Sequence, residues 1–220
     1  MSQILKTEDI PLRLTAAAQL VGNGRRLLDV GCGSGKLMAM LENRFAEFYG
    51  TDCDSKALEA ASARGIKISR LDIDTAGLPH ENDFFDAVTA TDIIEHIKEP
   101  PHLARECARV LKPTGVLIMT TPNIRHVRHV FKLVASGRFP KTSDDSGSYS
   151  GGHTQYFTFS DLRGILEQSG FGPIEEYNLF EWVRPTLLRG MKERIKNILG
   201  SRLNREFFSS SVVIRAHKQH

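Results

Sequence analysis

The feature that most constrains this chain is a short apolar run that breaks into closely spaced glycines. Leu27-Leu28-Asp29-Val30 leads into Gly31-Cys32-Gly33-Ser34-Gly35, and a helical pattern follows. A turn this tight at the C-terminal end of a strand needs residues without a Cβ, which reach left-handed dihedrals and let a ligand approach the backbone. The free N–H groups of the following helix point at whatever sits there. The second predicted strand ends at Thr51-Asp52, twenty-one residues beyond Gly31, where an acid accepts hydrogen bonds from both hydroxyls of a ribose. The third ends at Leu71-Asp72-Ile73, toward an adenine edge, with Asp74 as the alternative contact to Asp72. Three strand ends so spaced suit an adenosine laid across a doubly wound sheet.

The rest of the chain alternates in the same way. Apolar runs predict strands at 26–31, 48–52, 66–72, 85–91, 115–121, 174–180 and 208–217. Helical patterns fall at 36–45, 55–64, 101–111, 124–135 and 160–169, with Asp54 or Ser55 and then Ser160 as candidate N-caps. Strand–helix alternation predicts a three-layer α/β fold, a mostly parallel doubly wound sheet with helices on both faces. The last two strands lack a crossover helix of the usual length, which predicts an antiparallel strand at that end.

Charge distinguishes between adenosine ligands. The third glycine of a dinucleotide fingerprint is replaced here by Lys36, and Asp29 stands two residues before the first glycine. An acid is of little use beside a pyrophosphate, but it suits a ligand carrying an ammonium and a sulfonium. S-adenosylmethionine is therefore favoured over a nicotinamide dinucleotide. The competing assignment for Asp29 is a loop-capping acid.

Five motifs in order carry a resemblance to a known family. Residues 28–37 (LDVGCGSGKL) resemble motif I of the class I, Rossmann-like S-adenosylmethionine-dependent methyltransferases, and Tyr49-Gly-Thr-Asp52 resembles their motif II. Residues 78–88 with Thr91-Asp92-Ile-Ile-Glu95-His96 are similar to the block around strand four, and 111–123 to the segment around strand five. His153, Phe157-Thr158 and 162–171 are similar to a stretch of the subgroup of quinone, natural-product and glycan O-methyltransferases. The resemblance spans about residues 25–175 and implies a seven-stranded sheet with the last strand antiparallel. It implies that Asp29, Gly31, Gly33 and Gly35 hold the amino acid part of the cofactor and Asp52 the ribose. Asp72 with Ile73 would hold the adenine, and Asp92 would line the methionine end. Cys32 and Cys53 flank these loops and read as small packing residues of the cofactor site rather than nucleophiles.

Methyl transfer from a sulfonium is an in-line displacement on an activated carbon, so positioning and water exclusion dominate. A hydroxyl acceptor also loses a proton, which calls for a base that titrates near neutrality. His96, just past strand four, and His153, after a Ser/Gly/Asp-rich stretch, are the candidates, each with a structural hydrogen-bonding role as the alternative. No metal ligand set is expected: His126 and His129 lie three apart on a helix, but Arg125 and Arg128 flank them.

At 220 residues the chain predicts one methyltransferase domain, with a lid-like loop at about 137–156 and a basic amphipathic insert at about 184–206 between the last two strands. The insert places an apolar stripe opposite Arg189, Lys192, Arg194 and Lys196, so 184–200 is read either as a packed surface helix or as a peripheral membrane contact. Arg125, Arg128 and Lys132 extend that basic character if the two helices are neighbours. With a net charge of +3 and no Asn/Asp-Pro-Pro-aromatic signature after strand four, no nucleic acid partner is expected. Three scattered cysteines and no signal-peptide pattern predict a cytoplasmic protein, peripheral at the membrane if the insert binds there. The expected activity is O-methylation of a small molecule: a quinone precursor, a lipid-linked molecule or a glycan. N- or C-methylation, or a cofactor-binding regulatory partner protein, are the alternatives.

Overall fold

The computed structural model describes residues 11–140, 152–179 and 205–219. Strands β1 (Gly24–Val30), β2 (Phe45–Asp52), β3 (Lys67–Arg70), β4 (Phe85–Thr91), β5 (Leu111–Pro122), β6 (Phe171–Asn178) and β7 (Ser211–Lys218) form one sheet in the order β3-β2-β1-β4-β5-β7-β6. The first five run parallel, and β7 pairs antiparallel with both β5 and β6. Helices α1 (Leu12–Leu20), α2 (Lys36–Ala39), α3 (Ser55–Ser62), α4 (Pro100–Val110), α5 (Val127–Ser136) and α6 (Phe159–Gln168) flank it.

Strand periodicity divides the interior into two cores. Leu28, Val30, Val88, Ala90, Leu117 and Met119 pack with Leu103 and Cys107 of α4 and Leu162 and Leu166 of α6. Their sequence neighbours Leu27, Ala87 and Ile118 join the other core, with Ala17 of α1, Leu37 of α2 and Leu58 of α3. Alternate residues of a strand point to opposite faces, so central strands that are apolar at every position must be covered on both. This three-layer arrangement is the one the sequence predicts.

Several boundaries differ for local reasons. The helix expected to run to Phe45 stops at Ala39, and β2 begins at Phe45, three residues earlier than expected, paired with Gly24. Arg44 causes the break: its guanidinium donates to the Ala18 and Gly22 carbonyls and, at 3.0 Å, to Asn23 Oδ1, which locks the turn against the end of α1. β3 ends at Arg70, two residues short of Asp72, whose carbonyl instead accepts the Thr75 and Ala76 amides of a turn. Asp54 caps α3 as expected, accepting from the Lys56 and Ala57 amides. The cap of α6 is Thr158 rather than Ser160, in a reciprocal box with Asp161. Helix α1 carries no strong amphipathic pattern and is absent from the sequence reading.

The expected lid is described only at its two ends, and the insert only from residue 205; positions 141–151 and 184–204 lie outside the described residues. No helix among the described residues is long and apolar enough to cross a membrane.

Replacing Thr158 by Ala removes the hydroxyl that accepts the Asp161 amide, while the backbone N–H of residue 158 still donates to the Asp161 carboxylate, and should lower folding stability by about 1 kcal/mol. An unchanged urea midpoint would show that α6 is held by packing alone.

Candidate active site

Four strand ends converge on one cavity of about 510 Å³. β1 contributes Val30 and Gly31, β2 contributes Thr51 to Cys53, the turn after β3 contributes Leu71 to Asp74, and the segment after β4 contributes Asp92, Ile93, His96 and Ile97. This is the C-terminal edge of the sheet on either side of β1, where the strand order reverses and open α/β sheets bind ligands.

The glycine loop is fastened to β2. The amides of Gly31 and Cys32 both donate to the Thr51 carbonyl, at 2.8 and 3.0 Å. The Gly33 amide donates to Asp52 Oδ2 at 2.8 Å, while Asp52 Oδ1 accepts the Asp54 amide. Gly31 has φ +72°, and a Cβ there would stand 2.6 Å from Ile93 Cδ1, so both backbone and space exclude a side chain.

Of the residues expected at a cofactor, the structure brings Gly31, Asp52, Cys53, Asp72, Ile73 and Asp92 together around the cavity, with Asp74 beside them. Asp29, Cys32, Gly33 and Gly35 are not part of this wall. Asp29 is buried at the C-terminal end of β1 and accepts the Thr89 hydroxyl at 2.7 Å. Burial pushes its carboxyl up to about 7, the Thr89 hydrogen bond opposes this, and Asp52 adds to it. Burial likewise pushes the Cys32 thiol up to about 12, so it is no nucleophile. Asp72 Oδ1 accepts the Asp74 amide at 3.1 Å and Asp74 Oδ1 accepts the Lys98 amide at 2.8 Å, so both acids order the same wall.

His96 lines the cavity on the segment after β4, and His153 packs against it from outside the lining. Asp92 has φ +53°, which turns the chain sharply after β4. Its carboxylate takes an ion pair from Arg13 of α1 at 2.7 Å and the Thr120 hydroxyl at 3.1 Å. A 3₁₀ turn, Ile94–His96, follows. The Glu95 carbonyl accepts the amides of Thr154 and Gln155, which stitches the far end of the expected lid to this turn. His96 Nδ1 lies 3.0 Å from the Gly152 carbonyl, and the His96 and His153 rings meet edge to face at 4.7 Å. His153 is buried; burial, with His96 and Arg13 nearby, lowers its pKa to about 4 and keeps it neutral.

Two residues here were missed as site residues. Arg13 sits on the helix that the sequence pattern does not reveal. Glu95 is 1% exposed, and neither carboxylate oxygen has a hydrogen-bond partner at ordinary length. Burial, then the charge of Asp92, raises its pKa to about 7. Although no metal ligands were expected from sequence, ligand atoms of Glu95, His96 and His153 lie within 4.8 Å of one another, close enough to hold an ion.

The comparisons with known proteins agree with this geometry. Residues 28–119 match the model of a methyltransferase domain family. The chain is 35% identical over 133 residues to a ubiquinone biosynthesis O-methyltransferase of Alkalilimnicola ehrlichii, covering 57% of this chain and 54% of that protein. It is 31% identical over 171 residues to the one from Bordetella bronchiseptica, covering 74% and 69%. The chain thus spans between about half and two thirds of the length of these relatives. A solved S-adenosylmethionine-dependent methyltransferase of Thermotoga maritima superposes with a TM-score of 0.67 at 18% identity, covering 94% of this chain and 88% of that one, and shares its fold. The chain belongs to the S-adenosylmethionine-dependent methyltransferases of the Rossmann-like class.

The raised Glu95 carboxyl has a consequence for stability. Between its ordinary pKa of 4.5 and about 7 the folded protein holds a proton that the unfolded chain has released, so stability falls as pH rises through that window. Glu95→Gln removes this penalty. In ligand-free protein the variant should gain up to about 3 kcal/mol relative to wild type between pH 4.5 and 7.5. A wild-type-to-variant difference that is constant with pH would show that Glu95 is ionised throughout.

Proposed function

We propose that the chain transfers a methyl group from S-adenosylmethionine to a hydroxyl of a small, largely apolar acceptor such as a phenolic quinone precursor. The observation that carries this is the charge of the cavity: Asp52, Asp72, Asp74 and Asp92 all line it, and Asp29 lies just behind. A pyrophosphate would face those carboxylates, whereas a ligand bearing a sulfonium and an ammonium is attracted by them. The relatives named for O-methylation in ubiquinone biosynthesis support the acceptor class.

When bound, the cofactor supplies an activated methyl carbon. Asp52 holds the ribose, and the turn at Asp72 to Asp74 borders the adenine. The Gly31–Gly35 loop, with Asp29 beneath it, receives the amino acid portion. Partial protonation of Asp29 without ligand is reversed by a neighbouring ammonium, so ligand binding relieves a cost of burial.

His96 is the proposed base. A carbonyl only accepts, so the Gly152 contact requires the proton on Nδ1, which leaves the Nε2 lone pair to take the acceptor's proton. His153, neutral and buried, braces the His96 ring. Peripheral membrane contact through 184–200 belongs to the same reading as a proposal about a segment outside the described residues.

The test uses labelled S-adenosylmethionine with a panel of phenols and catechols. Label should move to an acceptor oxygen, and His96→Gln should lower turnover about 10²- to 10⁴-fold while cofactor affinity stays within about two-fold. Transfer only to nitrogen or carbon acceptors, or full turnover by the variant, would overturn the oxygen acceptor or the base respectively.

A further inference from the structure

The chain between β3 and β4 walls the cavity without forming a helix or strand of its own. Leu71 to Asp74 line the cavity at its start, and Phe84 leads into β4 at its end. A segment without a backbone ladder keeps one shape only where side chains or neighbouring elements bond it. Its two ends are bonded in this way. The Leu71 amide donates to the Asp52 carbonyl at 3.0 Å, and the Asp83 and Phe84 amides donate to the Arg109 and Val110 carbonyls at 3.0 and 2.9 Å.

Between those ends α4 supplies a clamp. Arg109 donates five hydrogen bonds of 2.7 to 3.0 Å: one each to the Leu78 and His80 carbonyls, one to Asn82 Oδ1 and two to the Glu106 carboxylate. Glu106, three residues earlier on the helix, accepts the Leu78 amide at 2.6 Å. A Cβ on Gly77 would stand 2.7 Å from Glu106 Oε2, so the carboxylate lies directly against the backbone. The Arg109 hydrogen bonds hold the Glu106 carboxyl below its ordinary range, so the pair is charged at neutral pH. A planar guanidinium fork spans these acceptors at once, whereas an ammonium in its place is a single point.

Neither Glu106 nor Arg109 lines the cavity. Their hold reaches it along a short stretch of chain. Ile73 and Leu78 are both buried in the core that contains Leu103 and Cys107 of α4, and Asp74 between them accepts the Lys98 amide at 2.8 Å. The cavity-lining turn at Asp72 to Asp74 is therefore fixed by its own buried neighbours and by the clamp that begins four residues later.

We propose that Arg109, with Glu106, is a positioning residue for the cofactor: from outside the cavity lining it fixes the turn at Asp72 to Asp74, and so sets how well the site selects an adenine ring. This rests on the S-adenosylmethionine reading of the cavity, in which that turn borders the adenine. A carboxylate held in one place accepts the 6-amino group of adenine and repels the 6-oxo group of hypoxanthine, so selectivity reports how firmly the turn is held.

The test is calorimetric titration of S-adenosylhomocysteine and S-inosylhomocysteine into wild type and three variants. Wild type should prefer the adenine ligand about ten-fold or more. Arg109→Lys keeps the charge but loses the fork, and should bring that preference to within about three-fold. Glu106→Gln keeps an acceptor for Leu78 but loses the ion pair, and should fall between the two. Thr158→Ala, which weakens the fold at α6, should keep the wild-type preference and so separates positioning from loss of stability. In ligand-free Arg109→Lys, amide hydrogen exchange at 72–78 should rise about ten-fold or more while that at 31–35 stays as in wild type. A wild-type preference retained in both α4 variants, an equal loss of affinity for the two ligands, or unchanged exchange at 72–78 would overturn the inference alone. Failure of wild type to bind either ligand would overturn the cofactor reading and this inference with it.

Discussion

The site depends on how the glycine loop is fastened to its neighbour strand. Two successive amides, Gly31 and Cys32, share the Thr51 carbonyl, and a third, Gly33, is held by Asp52. These bonds join β1 and β2 beyond the last paired residues, Val30 and Thr51, and leave the cavity open above them. Asp52 therefore has two roles: one carboxylate shapes the loop and presents a negative edge to the cavity. Gly31 must be glycine because its backbone is left-handed and Ile93, across the cavity floor, occupies the space of a Cβ. The shape of the loop and the acidic edge of the cavity are parts of one arrangement.

Electrostatics are the second constraint. The sheet edge gathers carboxylates from β1 to β4, and Arg13 brings a cation to it by pairing with Asp92. The protein accommodates this concentration by leaving the most buried acids, Asp29 and Glu95, with pKa values near neutrality. Such a site is costly while empty and is stabilised by a cationic ligand, the sign expected for a sulfonium cofactor rather than a dinucleotide.

The strand ends that wall the cavity were legible because they are local. Leu27 to Gly35 is contiguous, Asp52 lies at a strand end fixed by its own apolar run, and strand alternation reports a sheet covered on both faces. What escaped the sequence depends on contacts between distant segments. Arg13 reaches Asp92 from a helix with no amphipathic signature, and Arg44 ends the second helical segment by capturing carbonyls of residues 18 and 22. His96 and His153 were separately recognisable, but their contact with each other and with Glu95 needs the loop after Gly152 to fold back onto the 94–96 turn.

We infer that the cavity binds S-adenosylmethionine through the loop and the β2 acid. Calorimetric titration of S-adenosylhomocysteine into wild type and Asp52→Ala tests it most directly. Hydrogen bonds to a charged group contribute about 1.5–3 kcal/mol each, so the account predicts saturable binding to wild type and a loss of about 100-fold or more in the variant. Equal affinity in the two proteins, or no binding to wild type at all, would contradict it.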